Sequence, residues 1–486
     1  MPQNLQSEQR ILRGLVLNAV REGLSHLSTA LREKPSALTG QYRDWHELSH
    51  YTSGLPSFNK LPWAGPPDYS GAFHGNPPLI RADDLQSFQG LLEFVKSHEF
   101  LKDWFIPPLS PAVEKDGKAD EFSADLLEFM VYRIPAKLID RHIHLNEGFE
   151  FSQKTFDNCY EELTTPIFHD RLRADICVPV LFLKFESEEM TLTSNAQIKL
   201  MPDNFHLARA SVHGYGSGVH KAVFSAATHI LVLKGWYAES QYVRPLSRVL
   251  SDATSFPLNT IDLFFAALLI ITGFSTGYAQ LLVRPHGWAL HYRANLPPLE
   301  GASIKAYPNR FDNFYWQLDD IPVISNDSAR DIGILFKRLM DIKENSILIA
   351  LRRLNLCFLR DSDEDSILDA TIGLEALLSD DDRQEMTHKL AMRAAGLAKV
   401  VNDSSKLPFE VFSDLKKIYK HRSAVVHGST KTDRTRVITS KENRPVEVSS
   451  LATEYLRFVL RILIEHPEYR TPAKIDEFLL RDEDPT

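Results

Sequence analysis

The feature that most constrains this chain is a change of hydrophobic period, from helical to alternating near residue 166 and back to helical near residue 328. In 9–31 the residues Ile11, Leu12, Leu15, Val16, Val20, Leu24 and Leu27 recur at spacings of three and four, which predicts an amphipathic helix. A loop rich in Pro, Gly and aromatics is expected at 54–78. Helices should follow at 84–105 and 124–141, separated by Pro107, Pro108 and Pro111. The segments LFLKF (181–185), MTLTSNAQIKL (190–200) and THILVLKGW (228–236) read as strands of an antiparallel sheet with four to six members. A helix at about 261–282 and short strand-like pieces to about 320 complete this middle part.

From 328 onward every segment has the helical period. The expected helices are 329–359, 366–378, 386–401, 408–427 and 450–465. Pro408 lies in a first turn, Gly428 just past a last one, and Pro467 is a stop. The fold class is therefore α+β and multidomain, a helical and sheet-containing front followed by an all-α bundle. The expected units are 1–165 (mostly helical), 166–327 (β-rich), 328–470 (bundle) and 471–486 (tail). With 486 residues the chain exceeds the size at which one hydrophobic core stops growing. No Gly-rich turn joins a strand to a helix, which argues against a doubly wound nucleotide fold.

Cys159, Cys177 and Cys357 form no ligand or disulfide spacing, so a reducing compartment is expected. The most apolar run, 263–274, is shorter than the roughly 20 residues a spanning helix needs. The first residues lack the pattern of a signal peptide, and a cytoplasmic protein without membrane contact is expected. Net charge is −9, which disfavours a general polyanion binder. The distribution is uneven, however. Residues 415–444 hold nine Lys/Arg against two acids, and 361–385 hold ten acids against one base. Solvated faces are the ordinary explanation of such runs; a local polyanion site is the sharper one.

The stretch YKHRSAVVHG (419–428) carries the most chemistry. Phe412, Leu415, Tyr419, Arg422 and Val426 fall on one helical stripe, which places Arg422 on an apolar face, where it needs a carboxylate, a cleft or a partner subunit. His427 lies about 7.5 Å further along the axis and about 140° around it. Cleavage of RNA needs a base for the 2′-hydroxyl, a cation for the phosphate and an acid for the leaving 5′-oxygen. A histidine titrates near neutrality and an arginine clamps phosphate in a bidentate way, so the pair can act without metal. The spacing alone is common, and a structural arginine beside a surface histidine explains most such pairs.

Three ordered segments, ILDATIGLEALL (367–378), KLAMRAAGL (389–397) and IYKHRSAVVHG (418–428), together resemble the Apea-like branch of the HEPN superfamily. IALRRLN (349–355) also resembles the helix that precedes such domains, and the likeness covers about 345–465. The resemblance implies a helical domain that dimerises to face two R-x4–6-H motifs across one cleft, and a metal-independent endoribonuclease of bacterial defence or stress response. Arg422 and His427 match the catalytic pair, and Ser423 the polar position after the arginine. Glu375 and Arg393 match signature positions of the other helices, and Tyr419 and Lys420 are supporting or substrate-binding neighbours. Glu375 reads as a buried partner for an arginine. No metal or cofactor is expected. The expected partners are an RNA substrate, tracked by the basic segment 431–444, a second copy of the chain, and a protein or phage-derived trigger received by residues 1–330. The competing reading is a non-catalytic sensor or adaptor that dimerises and binds a ligand or nucleic acid, since some domains of this type only bind or scaffold.

Other patterns are weaker. His142 and His144 would share one face of a strand as two metal ligands, with no third nearby. GYGSG (214–218), between His213 and His220, lacks the GK[ST] of a phosphate loop and reads as a hairpin turn. Pro285-His286-Gly287-Trp288 reads as a turn with a packed Trp. Phe58, Trp63, Tyr69 and Phe73 could stack on bases but are expected to pin a loop to the core. Asp361, Asp363 and Asp365 lack the Gly and closing Glu of a calcium loop and should cap the next helix.

Overall fold

The computed structural model describes residues 3–38, 43–74, 77–105, 119–212, 218–240, 258–314, 320–380, 385–401, 406–428, 436–439 and 445–481. Helix and sheet are mixed, at 58% and 17%. The front is α1 (Gln3–Glu33), a β1 (Trp45–His50)/β2 (Pro56–Leu61) hairpin, α2 (Gly71–His74), α3 (Gln86–Lys96), α4 (Glu99–Phe105), α5 (Ala119–Asn146) and α6 (Gln153–Phe168). These helices enclose a core of their own, in which Leu12, Val16, Val20 and Leu24 of α1 meet Phe88, Leu91, Val131, Ile139 and Phe156. The expected loop at 54–78 thus contains a strand and a short helix. Its rings act as pins: Phe58 packs near Phe224, Tyr69 on Phe149 and Phe73 on Phe88. Trp63 is the exception, exposed and at φ +57°.

His142 and His144 lie on α5, not on a strand, because the helix continues through Pro135 to Asn146. The Nε2 atom of His142 accepts from the Ser152 N–H at 2.9 Å, and His144 Nε2 lies 3.4 Å from Asp140. Both rings are spent on packing and local bonds. No group of three or more His, Cys, Asp or Glu able to hold a metal occurs among the described residues.

The middle of the chain builds β3 (Arg171–Pro179), β4 (Lys184–Phe185), β5 (Glu189–Thr193), β6 (Ala196–Leu200), α7 (Asp203–Arg209), α8 (Lys221–Ser225), β7 (His229–Glu239), α9 (Leu258–Thr272), β8 (Tyr278–Pro285), β9 (Glu300–Ala306), α10 (Arg310–Phe314) and β10 (Val323–Ile324). Six strands pair antiparallel in the order β5-β6-β7-β3-β8-β9, within the expected range. Residues 190–200 belong to two strands, since Ser194 and Asn195 turn the chain. LFLKF is not a ladder strand: Phe182 stands at φ +53°, and only Lys184 and Phe185 pair, in parallel, with β10. The helix expected to reach 282 ends at Thr272, where Gly273 adopts φ +69°. Residues 278–285 form β8 instead. Its first six residues are buried, so they lack the alternation that marks a half-buried strand. Trp288 is buried after a turn at Gly287 (φ +72°) and donates to the Arg173 carbonyl, as expected of that turn. His213 and most of GYGSG lie outside the described residues.

The last third contains α11 (Asn326–Asp341), α12 (Asn345–Leu359), α13 (Asp363–Leu378), α14 (Met386–Val401), α15 (Pro408–Val426), a small hairpin of β11 (Val437–Thr439) and β12 (Pro445–Glu447), α16 (Val448–Glu465) and α17 (Pro472–Leu479). The single helix expected at 329–359 is two helices with a break at Ile342–Glu344. The expected tail supplies α17, which buries Ile475 and sets Leu479 against Gly396 of α14. Ser362 caps α13 by accepting from the Asp365 N–H, and the acids of that first turn suit the positive helix end.

One face of the sheet (Ile176, Val178, Leu231, Leu281, Val283) and the bundle share a continuous core through α9. The other face (Cys177, Ile230, Val232, Leu282) packs under α7 and α8. The boundary expected near 327 therefore falls inside a common core, whereas the one near 165 falls at the end of α6. No helix among the described residues is long and apolar enough to cross a membrane.

Arg209 is the least expected group in the core. It is fully buried and donates to the carbonyls of Phe224, Ser225 and Ala227 and to Gln280, with no carboxylate partner among the described residues. Replacing it orphans several buried acceptors at once, each costing about 1–3 kcal/mol. Arg209→Met should therefore lower the urea midpoint by the equivalent of about 3 kcal/mol or more, measured by equilibrium unfolding.

Candidate functional site

α15 starts with Pro408 at its first turn, where the missing N–H is not needed, and ends at Val426 with His427 as the capping residue. Gly428 follows at φ +58°, which a left-handed cap requires and a glycine supplies without strain. The helix lies against α13, α14 and α16. Its buried face is formed by Val411, Leu415, Ile418, Tyr419 and His421. The stripe through Phe412, Arg422 and Val426 runs along the border of that face instead of its centre. Arg422 is consequently half-buried, with 34% of its side chain exposed, and Val426 and His427 are exposed.

Among the described residues the guanidinium of Arg422 has one carboxylate neighbour. Its Nη2 lies 3.8 Å from Glu375 Oε1 on α13, an ion pair too long for a hydrogen bond. Its Nε is buried and has no hydrogen-bond partner among the described residues. Burial raises the pKa of Glu375, and the charge of Arg422 opposes that rise. The expectation that Glu375 serves an arginine thus finds its partner in Arg422 itself. One end of the arginine is packed and loosely paired, and the remainder faces solvent.

The supporting residues divide. Ser423 and Lys420 are exposed on the same last turns of α15. Tyr419 is not available to a substrate: it is buried, its hydroxyl is 3.5 Å from the Thr371 carbonyl, and burial pushes its pKa well up. Arg393 is likewise a structural group. It is 4% exposed, donates to the Leu378 carbonyl at 2.7 Å, and pairs with Asp380 and Asp476, so it locks α14 to the end of α13 and to α17. The structure does not bring it to Arg422. Of the basic segment 431–444, only 436–439 is described, and Arg436 there is engaged by Asp363 and Glu447.

Sequence reasoning missed His421. It is buried beside the first turn of α13, with Asp363, Glu364 and Arg436 around it, and burial lowers its pKa. The signal was present, because His421 continues the spacing 411, 415, 418 by three. Attention to the stripe through 412 and 422 concealed it.

No family model matches the chain, and neither the curated proteins nor the solved structures offer a match. The likeness drawn from residues 345–465 rests on the three motifs alone.

Arg393→Ala removes the cation that pairs with Asp476, leaves Asp380 to its longer contact with Lys389 at 3.7 Å, and leaves a buried carbonyl without its donor. Because both carboxylates are partly exposed, the cost should be nearer 2 kcal/mol, about half the figure for a fully buried pair. Thermal unfolding should show this loss. An unchanged melting temperature would contradict the structural role.

Proposed function

We propose that the chain is a metal-independent endoribonuclease of the HEPN type, with Arg422 and His427 as its working pair. The observation that carries this reading is their placement. A guanidinium whose ion partner among the described residues is one loosely placed carboxylate shares the solvent-facing end of one helix with an exposed imidazole. In the reaction, one His427 takes the 2′-hydroxyl proton as the 2′-oxygen attacks phosphorus. Arg422 stabilises the charge that grows on the non-bridging oxygens. The 5′-oxygen leaves with a proton from a second acid, and the other product ends in a 2′,3′-cyclic phosphate. One histidine cannot serve both faces of the phosphate, and the pair on a single helix diverges by about 140°. A second copy of α15, facing the first, supplies the missing acid, and the exposed Val426 gives that contact apolar area. Residues 1–330 are then a regulatory or trigger-sensing part.

The alternative, a non-catalytic sensor or adaptor, is favoured by the ion pair between Arg422 and Glu375, which is what a structural arginine also makes. Arg422→Ala and His427→Ala distinguish the two. Each should reduce RNA cleavage by about a hundredfold or more, as loss of an acid–base or charge-stabilising group does, with the melting temperature within a few degrees. EDTA should have no effect. Unchanged cleavage in His427→Ala, or loss of cleavage with EDTA, would refute the mechanism.

Glu375 offers a separate check. Its pKa is raised, so as the pH falls toward it the carboxylate is neutralised and Arg422 is left with uncompensated charge for phosphate. In a His427→Ala background, RNA affinity should rise as the pH is lowered from neutrality into the acid range. Glu375→Gln should bind a few-fold more tightly at neutrality and lose most of that pH dependence.

A further inference from the structure

A second polar cavity lies away from the Arg422 site, where α9, α10, α12, α13 and α16 meet. Its volume is about 480 Å³, and Ser275, Arg310, Asp361, Asp363, Glu454 and Arg457 are among the residues lining it. Three carboxylates and three guanidiniums border the space. Their partners do not match one another.

Each acid is already engaged. Asp361 accepts from the backbone N–H groups of Asn309 and Arg310, at 3.2 and 3.0 Å. Asp363 is held by Arg436 through one oxygen and by the Ser449 hydroxyl through the other. Glu454 pairs with Lys406 at 2.5 Å. Of the arginines, Arg360 has its carboxylate in Asp369. The other two have none within ion-pair distance among the described residues. Arg310 donates to the Ser275 hydroxyl and to the carbonyls of Phe358 and Arg360. Among the described residues Arg457 makes a single bond, to the Ile270 carbonyl, and its Nε is buried without an acceptor. Burial lowers the pKa of both, and outweighs the opposing pull of Asp361 on Arg310 and of Glu454 on Arg457.

Both guanidiniums flank the same stretch of chain. Arg457 lies against Gly273, where an added Cβ would fall 2.3 Å from Nη1, and Arg310 bonds Ser275 two residues on. Two partly buried arginines with donors to spare, facing one polar cavity, form a fork for an anion with several oxygens. The hydroxyls of Ser449, Ser450 and Thr453 add neutral polar groups to the wall.

We propose that this cavity binds a phosphomonoester of a small hydroxylated molecule, such as a mononucleotide or a sugar phosphate. The phosphate sits between Arg310 and Arg457, and the body of the ligand lies toward the serines of α16. The site is distinct from the Arg422 region and does not depend on the ribonuclease reading. Because its walls come from both the sheet-bearing part and the bundle, a bound ligand braces the contact between them.

The test is thermal shift and calorimetric titration of the full-length protein with adenosine 5′-monophosphate, ribose 5-phosphate and inorganic phosphate, with adenosine as the uncharged control. At least one phosphate ester should raise the melting temperature by several degrees and bind with measurable heat, while adenosine does neither. Arg457→Met should weaken binding at least tenfold. Since Arg457 also caps the end of α9, Ser450→Tyr is the second variant: it fills the cavity from an exposed position and should abolish binding while the unliganded protein melts as before. The proposal is overturned if no phosphate compound binds at millimolar concentration, if adenosine binds as well as its phosphate, or if binding survives Ser450→Tyr.

Discussion

The structure depends on α9. Its sequence, LNTIDLFFAALLIIT, is apolar around nearly its whole circumference, and such a helix is stable only if every side is covered. The six-stranded sheet covers one side, and α11, α12 and α16 cover the others. Burial of roughly 2 kcal/mol for each large apolar side chain, repeated over Phe264, Phe265, Leu268, Leu269 and Ile270, makes this helix a strong adhesive between the two parts of the chain. It also explains why the sheet and the bundle share one core. A helix of this kind cannot be divided between two independent domains.

Covering α9 completely creates a difficulty at its end. The last carbonyls of a helix have no partner within it, and at Ile270 water is largely displaced by packing. Arg457 of α16 supplies the donor, lying flat against Gly273 where any side chain would collide. Capping carbonyls with a cation satisfies their hydrogen bonds but brings no carboxylate within ion-pair distance of it among the described residues, the charge of Glu454 acting from further off. The presence of the Arg457 guanidinium in the wall of the neighbouring cavity is thus a consequence of how α9 ends and not an isolated surface feature.

Most helix ends of the bundle were readable to within a few residues because they are punctuated chemically, but the break at 342–344 and α17 were not. Pro408, Gly428 and Pro467 each mark a terminus by a backbone requirement that few residue types meet, whereas α13 starts three residues before the expected 366, with Ser362 and not one of the aspartates as its cap. The sheet was less legible. Its inner strands β3, β7 and β8 are buried on both faces for much of their length, so alternation, the main sequence signal for a strand, is absent where pairing is most extensive. β3 was not anticipated, and β8 was absorbed into a helix. The positions of Arg422 and His427 at a helix end followed from spacing and the glycine stop. The partner of Arg422 was anticipated by type only, and Arg393 and Tyr419 belong to the packing. Spacing reports which face a residue occupies. It does not report what the opposite element places there.

That opposite element is α13, and its relation to α15 gives the site its geometry. His421 is held near the acidic first turn of α13, among Asp363, Glu364 and Arg436, whereas the next residue, Arg422, reaches Glu375 close to its last turn. Two consecutive side chains of α15 are therefore referred to opposite ends of one helix, with Tyr419 packed at Thr371 between them. A slide of α13 by one turn, about 5.4 Å, would break both relations together. Close packing opposes such a slide, because Gly373 admits Leu456 of α16 into a space that a Cβ would fill. The register of α13 thus fixes how far the Arg422 guanidinium is drawn back toward its carboxylate and how much of it stays open to an anion in solvent.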